Sequence, residues 1–286
     1  MKLDLNPDSL KDILNKIAFV ASGASEILLS FSQGINPLEI QEGDLSSPVT
    51  SADLAANDFI LEQLQTVFGL EQCGYLSEET HSGSEPMPQD WVWIIDPLDG
   101  TKDFLQKTGE FAVHIALAYR GRPVVAVVAI PERGELYCAA KNQGAHLRHS
   151  TGRSLPLQVS PKASLNQLSL VVSRNHRDEK FQHLIESLPL ASKHYIGSVG
   201  CKIAALVQKQ ADIYISLSGK SAPKDWDFAA PELILTEAGG KFTYLDGNPI
   251  LYNRGDVCQW GAILGSNGKC HQELLQKISE TIEKLG

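Results

Sequence analysis

WIIDPLDGTKDF, Trp93 to Phe104, is an apolar β-type run that stops abruptly in two aspartates three residues apart, followed at once by Gly100 and Thr101. Strand ends that break into glycine turns are where α/β proteins place reactive groups. On a tight turn Asp96 and Asp99 can converge on a pair of hard cations, while Gly100 lets backbone N–H groups approach a phosphate and Thr101 offers a hydroxyl beside them. An Asp-Pro pair taken alone reads equally as an Asx turn. Two other motifs fail on spacing: an EF-hand loop needs acids at alternating positions and a glutamate at its twelfth, and a haloacid-dehalogenase-type nucleophile motif needs its aspartates two apart.

Outward from this run, FAVHIALAY, PVVAVVAI, GELYCAA and GAHLR are short apolar stretches bounded by turn residues, and they predict strands. Upstream, Ser9 to about Ser32 sets Leu10, Ile13, Leu14, Ile17, Ala21, Ala24 and Leu28 on one helical stripe. A second helix is expected over Ala52 to Phe68, capped by Thr50 or Ser51, with Asp53 in its first turn. Downstream, LSLVVS, KHYIG, DIYISL, KFTYL and GAILG alternate with helices expected over Asp178–Ser187, Val199–Gln208, Asp227–Ala238 and Lys269–Leu285. The class is therefore α/β in layers. The turn-rich stretch Thr151 to Ala163 suggests an N-terminal α+β lobe, 1–155, and a C-terminal α/β lobe, 156–286, joined in one catalytic unit.

With 43% hydrophobic and 21% charged residues among 286, the chain has ordinary globular composition and enough length for a core without staples. A net charge of -9 argues against a nucleic-acid polymer as partner, because displacing counterions from a phosphate backbone needs a basic face. Five cysteines, odd in number, far apart and with no CxxC, suggest buried thiols in a reducing compartment. No signal peptide is read at the N-terminus, and the most apolar stretch, Phe111 to Ile130, is interrupted by His114, Arg120, Gly121, Arg122 and Pro123, so no membrane span is expected there. The expected location is the cytoplasm.

WIIDPLDGTKDF together with DWDFAAPELILTEAGG, Asp225 to Gly240, resembles the two signatures of the inositol monophosphatase superfamily. The matches lie well over a hundred residues apart and in the family's order, and PVTSAD, Pro48 to Asp53, and LSEE, Leu76 to Glu79, extend the likeness over most of the chain. Within the superfamily the chain looks nearest the CysQ-like 3'(2'),5'-bisphosphate nucleotidases. The resemblance implies a layered αβαβα sandwich and a lithium-sensitive phosphatase of sulfur assimilation that uses two or three Mg²⁺ ions. It further implies that Glu78, Asp96, Asp99 and Asp227 are metal carboxylates, with the Leu98 carbonyl as another ligand. By the same resemblance, Asp53 helps hold a third metal, and Thr101 with Glu78 activates the attacking water.

Physical logic agrees, since four or five carboxylates gathered in one place need cations to offset their repulsion. Two ions about 3.5–4 Å apart can polarise a phosphoryl group and lower the pKa of a bound water, so no covalent nucleophile is required. Each acid also has a plain structural role open to it. Asp53 would favour the helix dipole, Glu78 and Glu79 would be solvated surface charges, and Asp227 would cap its helix. His114 reads as a hydrogen-bonded core residue, because oxygen sites for Mg²⁺ rarely use imidazole.

For substrate, Gly100 and Thr101 would hold a phosphoryl oxygen, and the strand-to-helix turn GSVGCK would bring Ser198, Gly200 and Lys202 to an anion or sugar oxygen. In inositol-specific members a glutamate follows the Ala-Asp strand; a gapless count from Ala211 places Ser216 there. The loop Ser216 to Lys224 carries Lys220 and Lys224, cations suited to a second phosphate. The expected partner is a small phosphorylated metabolite, a nucleoside bisphosphate first, with inositol 1-phosphate and fructose 1,6-bisphosphate as alternatives. A second copy of the chain, as a homodimer, is the protein partner kept open. A metal- or phosphate-binding module without turnover is the reading of another class.

Overall fold

Asn6 begins the first helix by accepting from the N–H groups of Asp8 and Ser9, in a computed structural model that describes residues 3–40, 48–149, 153–174 and 179–285. Helix α1 (Pro7–Ser32) then runs for 26 residues, with Pro7 at a first-turn position where no amide hydrogen is missed. It is long and apolar enough to cross a membrane by length and composition, yet its stripe from Leu10 to Leu28 is buried in the protein core. Helix α2 (Ser51–Phe68) starts in a capping box in which the Thr50 hydroxyl and the Asp53 carboxylate each take the other residue's backbone N–H.

Both helices pack on one face of a seven-stranded sheet whose spatial order follows the chain: β1 (Cys73–Ser77), β2 (Trp91–Asp99), β3 (Ala112–Tyr119), β4 (Arg122–Ile130), β5 (Glu135–Ala140), β6 (Ala145–His149) and β7 (Ser154–Leu157). Only β1 and β2 run parallel; the rest are antiparallel neighbours. Trp93, Ile95, Val113, Ile115, Val125 and Val127 face α1 and α2, while the alternate residues Val92, Ile94, Ala116, Ala126 and Val128 face the other way. Between β2 and β3, a five-residue helix α3 (Thr101–Leu105) follows directly on the DPLDG turn.

A second, five-stranded sheet has the order β11–β12–β10–β8–β9, from β8 (Ser169–Ser173), β9 (Ser192–Ile196), β10 (Ile213–Leu217), β11 (Lys241–Tyr244) and β12 (Ala262–Ser266). Helices α5 (Val199–Val207) and α6 (Asp225–Glu237) fill the space between the two sheets. Helices α4 (Glu179–Ser187) and α7 (His271–Leu285) cover the far face, where Leu184, Ile185, Leu274 and Ile278 pack on Leu170, Ile213 and Leu264. The layers are therefore helix, sheet, helix, sheet, helix, the expected αβαβα sandwich.

Strand β1 was not read from the sequence, because five residues with one glycine give no clear alternation. The division expected after residue 155 falls inside β7, which pairs with β6 in the first sheet; the change of sheet comes between Leu157 and Ser169. The expected helix start at Asp178 lies outside the described residues.

Candidate active site

Parallel pairing of β1 with β2 matches Ser77 with Ile95, so the two strands end on the same side and Glu78 comes out beside Asp96. The Glu78 N–H continues the ladder to the Ile95 carbonyl at 3.2 Å. Beyond Asp96 the register with β3 slips by one: Asp96 faces His114 but Asp99 faces Ala112. Pro97 sits in this bulge, where a missing amide hydrogen is tolerated and the strand can re-aim a side chain. The result is a turn in which Leu98 donates its N–H to Asp96 Oδ1 at 3.0 Å and Gly100 takes a φ of +95°. A Cβ on Gly100 would lie 3.1 Å from the Glu110 carbonyl, so both the dihedral and the space favour glycine.

The third acidic segment arrives from the middle helical layer. Asp227 lies in the first turn of α6 and accepts the Lys224 N–H at 2.6 Å, so the capping role and a place in the site coincide. Oxygens of Asp96, Asp99 and Asp227 all lie within 4.8 Å of one another. Asp53 joins through Thr101, whose hydroxyl lies 3.2 Å from Asp53 Oδ1 and 3.3 Å from the Leu98 carbonyl. Asp53 Oδ2 meanwhile holds the Thr50 N–H at 2.8 Å.

Electrostatics follow from this crowding. Burial pushes Glu78 up to about 8, with further push from Asp227, Glu79 and Asp53. Burial likewise raises Asp96 well above the carboxylate range, helped by Glu78, Asp99 and Asp227, and lifts Asp227 to about 6, helped by Asp99. Asp53 is raised by burial against its hydrogen bonds to Thr50 and Thr101. Asp99 is the exception. Burial is the largest influence on it and acts upward, but His114, Lys202 and the Ser198 hydroxyl together hold it down at about 2. An all-oxygen donor set whose members resist ionising side by side fits a hard divalent cation, and Asp96, Asp99, Asp227, Glu78, the Leu98 carbonyl and Asp53 are the residues that would hold it.

The structure thus brings Asp96, Asp99 and Asp227 into one cluster, with Leu98, Gly100 and Thr101 on the same turn, Asp53 hydrogen-bonded to Thr101, and Glu78 at the end of the neighbouring strand. It places the GSVGCK residues differently. The Ser198 hydroxyl and the Gly200 N–H, the latter at 2.8 Å, both donate to Asp99 Oδ2 instead of pointing into open space. Lys202 is 4% exposed beneath the turn, with Nζ on the Ser198 carbonyl at 3.0 Å; burial lowers its pKa, against Asp99. Lys220 is exposed on the loop after β10.

Residues not assigned from the sequence hold this turn in place. Glu110 accepts the Gly197 N–H at 2.6 Å and one Arg174 nitrogen at 2.7 Å, while Asp103 takes the other at 2.8 Å. A Cβ on Gly197 would strike the Asp103 carboxylate at 2.3 Å. The signal available was Asp103 itself, inside the DPLDGTKDF string but without a role by spacing. His114 is fully buried in β3 with Nδ1 3.2 Å from the Trp226 carbonyl, a core position as expected, although its other nitrogen faces Asp99 Oδ2 at 3.2 Å.

Comparison with known proteins is consistent with this geometry. A family model described as the inositol monophosphatase family matches residues 10–283. The 3'(2'),5'-bisphosphate nucleotidase CysQ of Aggregatibacter actinomycetemcomitans is 32% identical over 85% of this chain and 88% of its own length. The Nus factor SuhB of Pseudomonas aeruginosa is 29% identical over 94% of this chain and 96% of its own. Among solved structures, an IMPase of Thermotoga maritima shares the fold with a TM-score of 0.79 at 23% identity, covering 96% of this chain and 100% of that one.

Proposed function

The chain belongs to the inositol monophosphatase family and is a metal-dependent phosphatase, and from that premise we propose that it is a Mg²⁺-dependent 3'(2'),5'-bisphosphate nucleotidase. Its reaction would convert 3'-phosphoadenosine 5'-phosphate and water to AMP and phosphate. The observation that carries the phosphatase chemistry is the convergence of Asp96, Asp99 and Asp227 within 4.8 Å, beside Glu78 and the Asp53–Thr101 pair. When bound there, divalent cations supply Lewis acidity toward the phosphoryl oxygens and lower the pKa of water.

The protein's own groups divide the remaining work. Thr101 has one hydroxyl hydrogen and two acceptors for it, Asp53 and the Leu98 carbonyl, so its lone pairs are left to accept from the attacking water. Glu78, which comes out beside Asp96 at the end of β1, is suited in its carboxylate form to take the water's proton. Backbone amides at the Gly100–Thr101 turn, the start of α3, are suited to a nonbridging phosphoryl oxygen.

The choice of nucleotide rests on the relative's name at 32% identity, on Ser216 standing where inositol-specific members carry glutamate, and on the cations Lys220 and Lys224 in the loop before α6. Lys224 lies with Nζ 5.5 Å from the Trp226 ring centre, within reach of the site's rim. A cytoplasmic setting accords with five cysteines that are all free thiols. The test is phosphate release from 3'-phosphoadenosine 5'-phosphate, inositol 1-phosphate and fructose 1,6-bisphosphate with Mg²⁺, each with and without lithium and EDTA. Preference for the nucleotide, abolished by EDTA and reduced by lithium, is expected. Preference for another ester would keep the chemistry and overturn the substrate. No EDTA-sensitive release from any of them would favour a non-catalytic binding role, the reading to which a relative named as a Nus factor lends support.

A further inference from the structure

We propose that Glu110 is a positioning residue of the metal centre: by holding the Gly197 N–H it fixes the turn at Ser198, and that turn aims the Asp99 carboxylate. The proposal rests on the reading of Asp99 as a metal ligand. The contacts that carry it are independent of that reading.

Two sheets meet at Glu110. Parallel β8 and β9 pair Ser173 with Ile196, so Arg174 and Gly197 leave the second sheet side by side. Glu110 reaches them from the first sheet, two residues before Ala112, which is the partner of Asp99 in the β2–β3 register. Its Oε2 accepts the Gly197 N–H at 2.6 Å and an Arg174 nitrogen at 2.7 Å, and its own N–H donates to the Thr108 hydroxyl at 3.2 Å. Arg174 sets its other nitrogen 2.8 Å from Asp103 Oδ1, so the carboxylate of Glu110 is itself held from the far side.

The backbone leaves ordinary geometry at the next residue. Ser198 has φ +51° and ψ +138°, a combination that is costly for a residue with a side chain and persists only where neighbours over-determine it. Glu110 fixes the amide before it, and Lys202 Nζ fixes its carbonyl at 3.0 Å. So constrained, the Ser198 hydroxyl accepts the Cys201 N–H at 3.2 Å and donates to Asp99 Oδ2, to which the Gly200 N–H also donates at 2.8 Å. Two donors on one oxygen set the orientation in which Asp99 meets Asp96 and Asp227. The contacts close a ring: Asp99, Ala112, Glu110, Gly197, Ser198 and Asp99 again. Removing the Glu110 carboxylate takes the charged acceptor from the Gly197 amide and frees Ser198 to relax, which swings both donors off Asp99. Groups that orient a metal-binding side chain from behind typically change metal affinity about 10–100-fold when removed.

The test is calorimetric titration of Mg²⁺ into the EDTA-stripped full chain, with circular dichroism as the check on folding. The Glu110 side chain is 21% exposed, so its truncation opens no core cavity. Glu110→Ala is expected to raise the dissociation constant about tenfold, the low end for such a group because Glu110 acts through the turn. Glu110→Gln loses the same charge but keeps an oxygen for the Gly197 N–H, and it is expected to retain most of the affinity. Glu110→Asp keeps the charge but draws the oxygens back by one methylene, so it is expected to bind less well than Glu110→Gln; this pair decides the matter should Glu110→Ala not fold. In a Ser198→Ala background, Glu110→Ala is expected to cost much less than it does alone. Equal losses in Glu110→Ala and Glu110→Gln would mean that the residue acts by charge and would overturn the proposal. So would wild-type affinity in Glu110→Ala, tighter binding by Glu110→Asp than by Glu110→Gln, or full additivity with Ser198→Ala. If the wild type itself binds no Mg²⁺, the metal-centre reading fails first and the role of Glu110 with it.

Discussion

Asp227 and Glu232 sit five residues apart on α6, and their charges are met in opposite ways. Glu232, 1% exposed, is enclosed by partners: the Arg122 guanidinium grips its carboxylate and the Tyr252 hydroxyl donates to it at 2.6 Å. Asp212, at the foot of β10, is treated alike, with Lys162 at 2.9 Å, the Ser169 N–H at 2.8 Å and the Ser160 hydroxyl around it. Asp227 instead has one backbone N–H and a crowd of other acids. Uncompensated buried charge is among the most costly features a fold can carry. A chain that completes the shell of Glu232 and Asp212 but leaves Asp96, Asp227 and Glu78 facing one another has left room for positive charge supplied from outside.

That contrast can be broken experimentally, most sharply at Asp96. Asp96→Asn keeps the shape and removes one of the crowded charges, so turnover should fall by on the order of a thousandfold, ~4 kcal/mol of barrier, while the metal-free protein melts no lower than the wild type. Near-normal phosphate release would show that the crowding has no catalytic purpose. Glu232→Ala is the opposite case. Loss of the carboxylate strands Arg122 and Tyr252, and destabilisation of about 3 kcal/mol is expected, the low end for a broken buried pair because Arg122 reaches partly into solvent. Denaturant titration should show that loss while kcat/KM of the folded fraction stays close to wild type; a selective loss of kcat would place Glu232 in the machinery instead of the scaffold.

A smaller effect separates the two kinds of acid by pH. Glu78 and Asp227 have folded-state pKa values raised to about 8 and about 6, chiefly by burial. A raised value means that the stabilisation belongs to the protonated form; it is complete below the unfolded values and is lost as pH climbs through the folded ones. In EDTA the melting temperature should therefore decline between about pH 5 and 8.5, and the rise in melting temperature produced by Mg²⁺ should grow over the same window. A flat profile would mean that these acids ionise normally, with no stored repulsion for a cation to relieve.

Asp96, Asp99 and Thr101 were legible in the sequence because their chemistry is written in adjacent letters, a strand end, two acids and a glycine. Asp227 was legible through its own string, and Thr50 through its position before an apolar helix. What the fold then does with GSVGCK was not legible. Turn amides and a lysine next to a strand end suggest an open anion site, but Ser198 and Gly200 serve a carboxylate 99 and 101 residues away, and Lys202 lies under the turn. No local pattern encodes that pairing. The same holds for His114, whose apolar neighbours announce burial correctly but not which two groups its nitrogens meet. Strand β7 escaped because Pro156 and flanking polar residues read as a turn, although an edge strand accepts both.

Strand β1 occupies the margin of its sheet, joined to β2 along one side only, and Glu78 is the first residue beyond its end. Fraying of that margin would cost one short row of backbone hydrogen bonds, far less than global unfolding, yet would carry away the group suited to receive the water's proton. Thermal inactivation should then precede the cooperative melt. In native-state hydrogen exchange, the amides from Cys73 to Glu78 would exchange ahead of those in β3 and β4, and bound cations would slow them most.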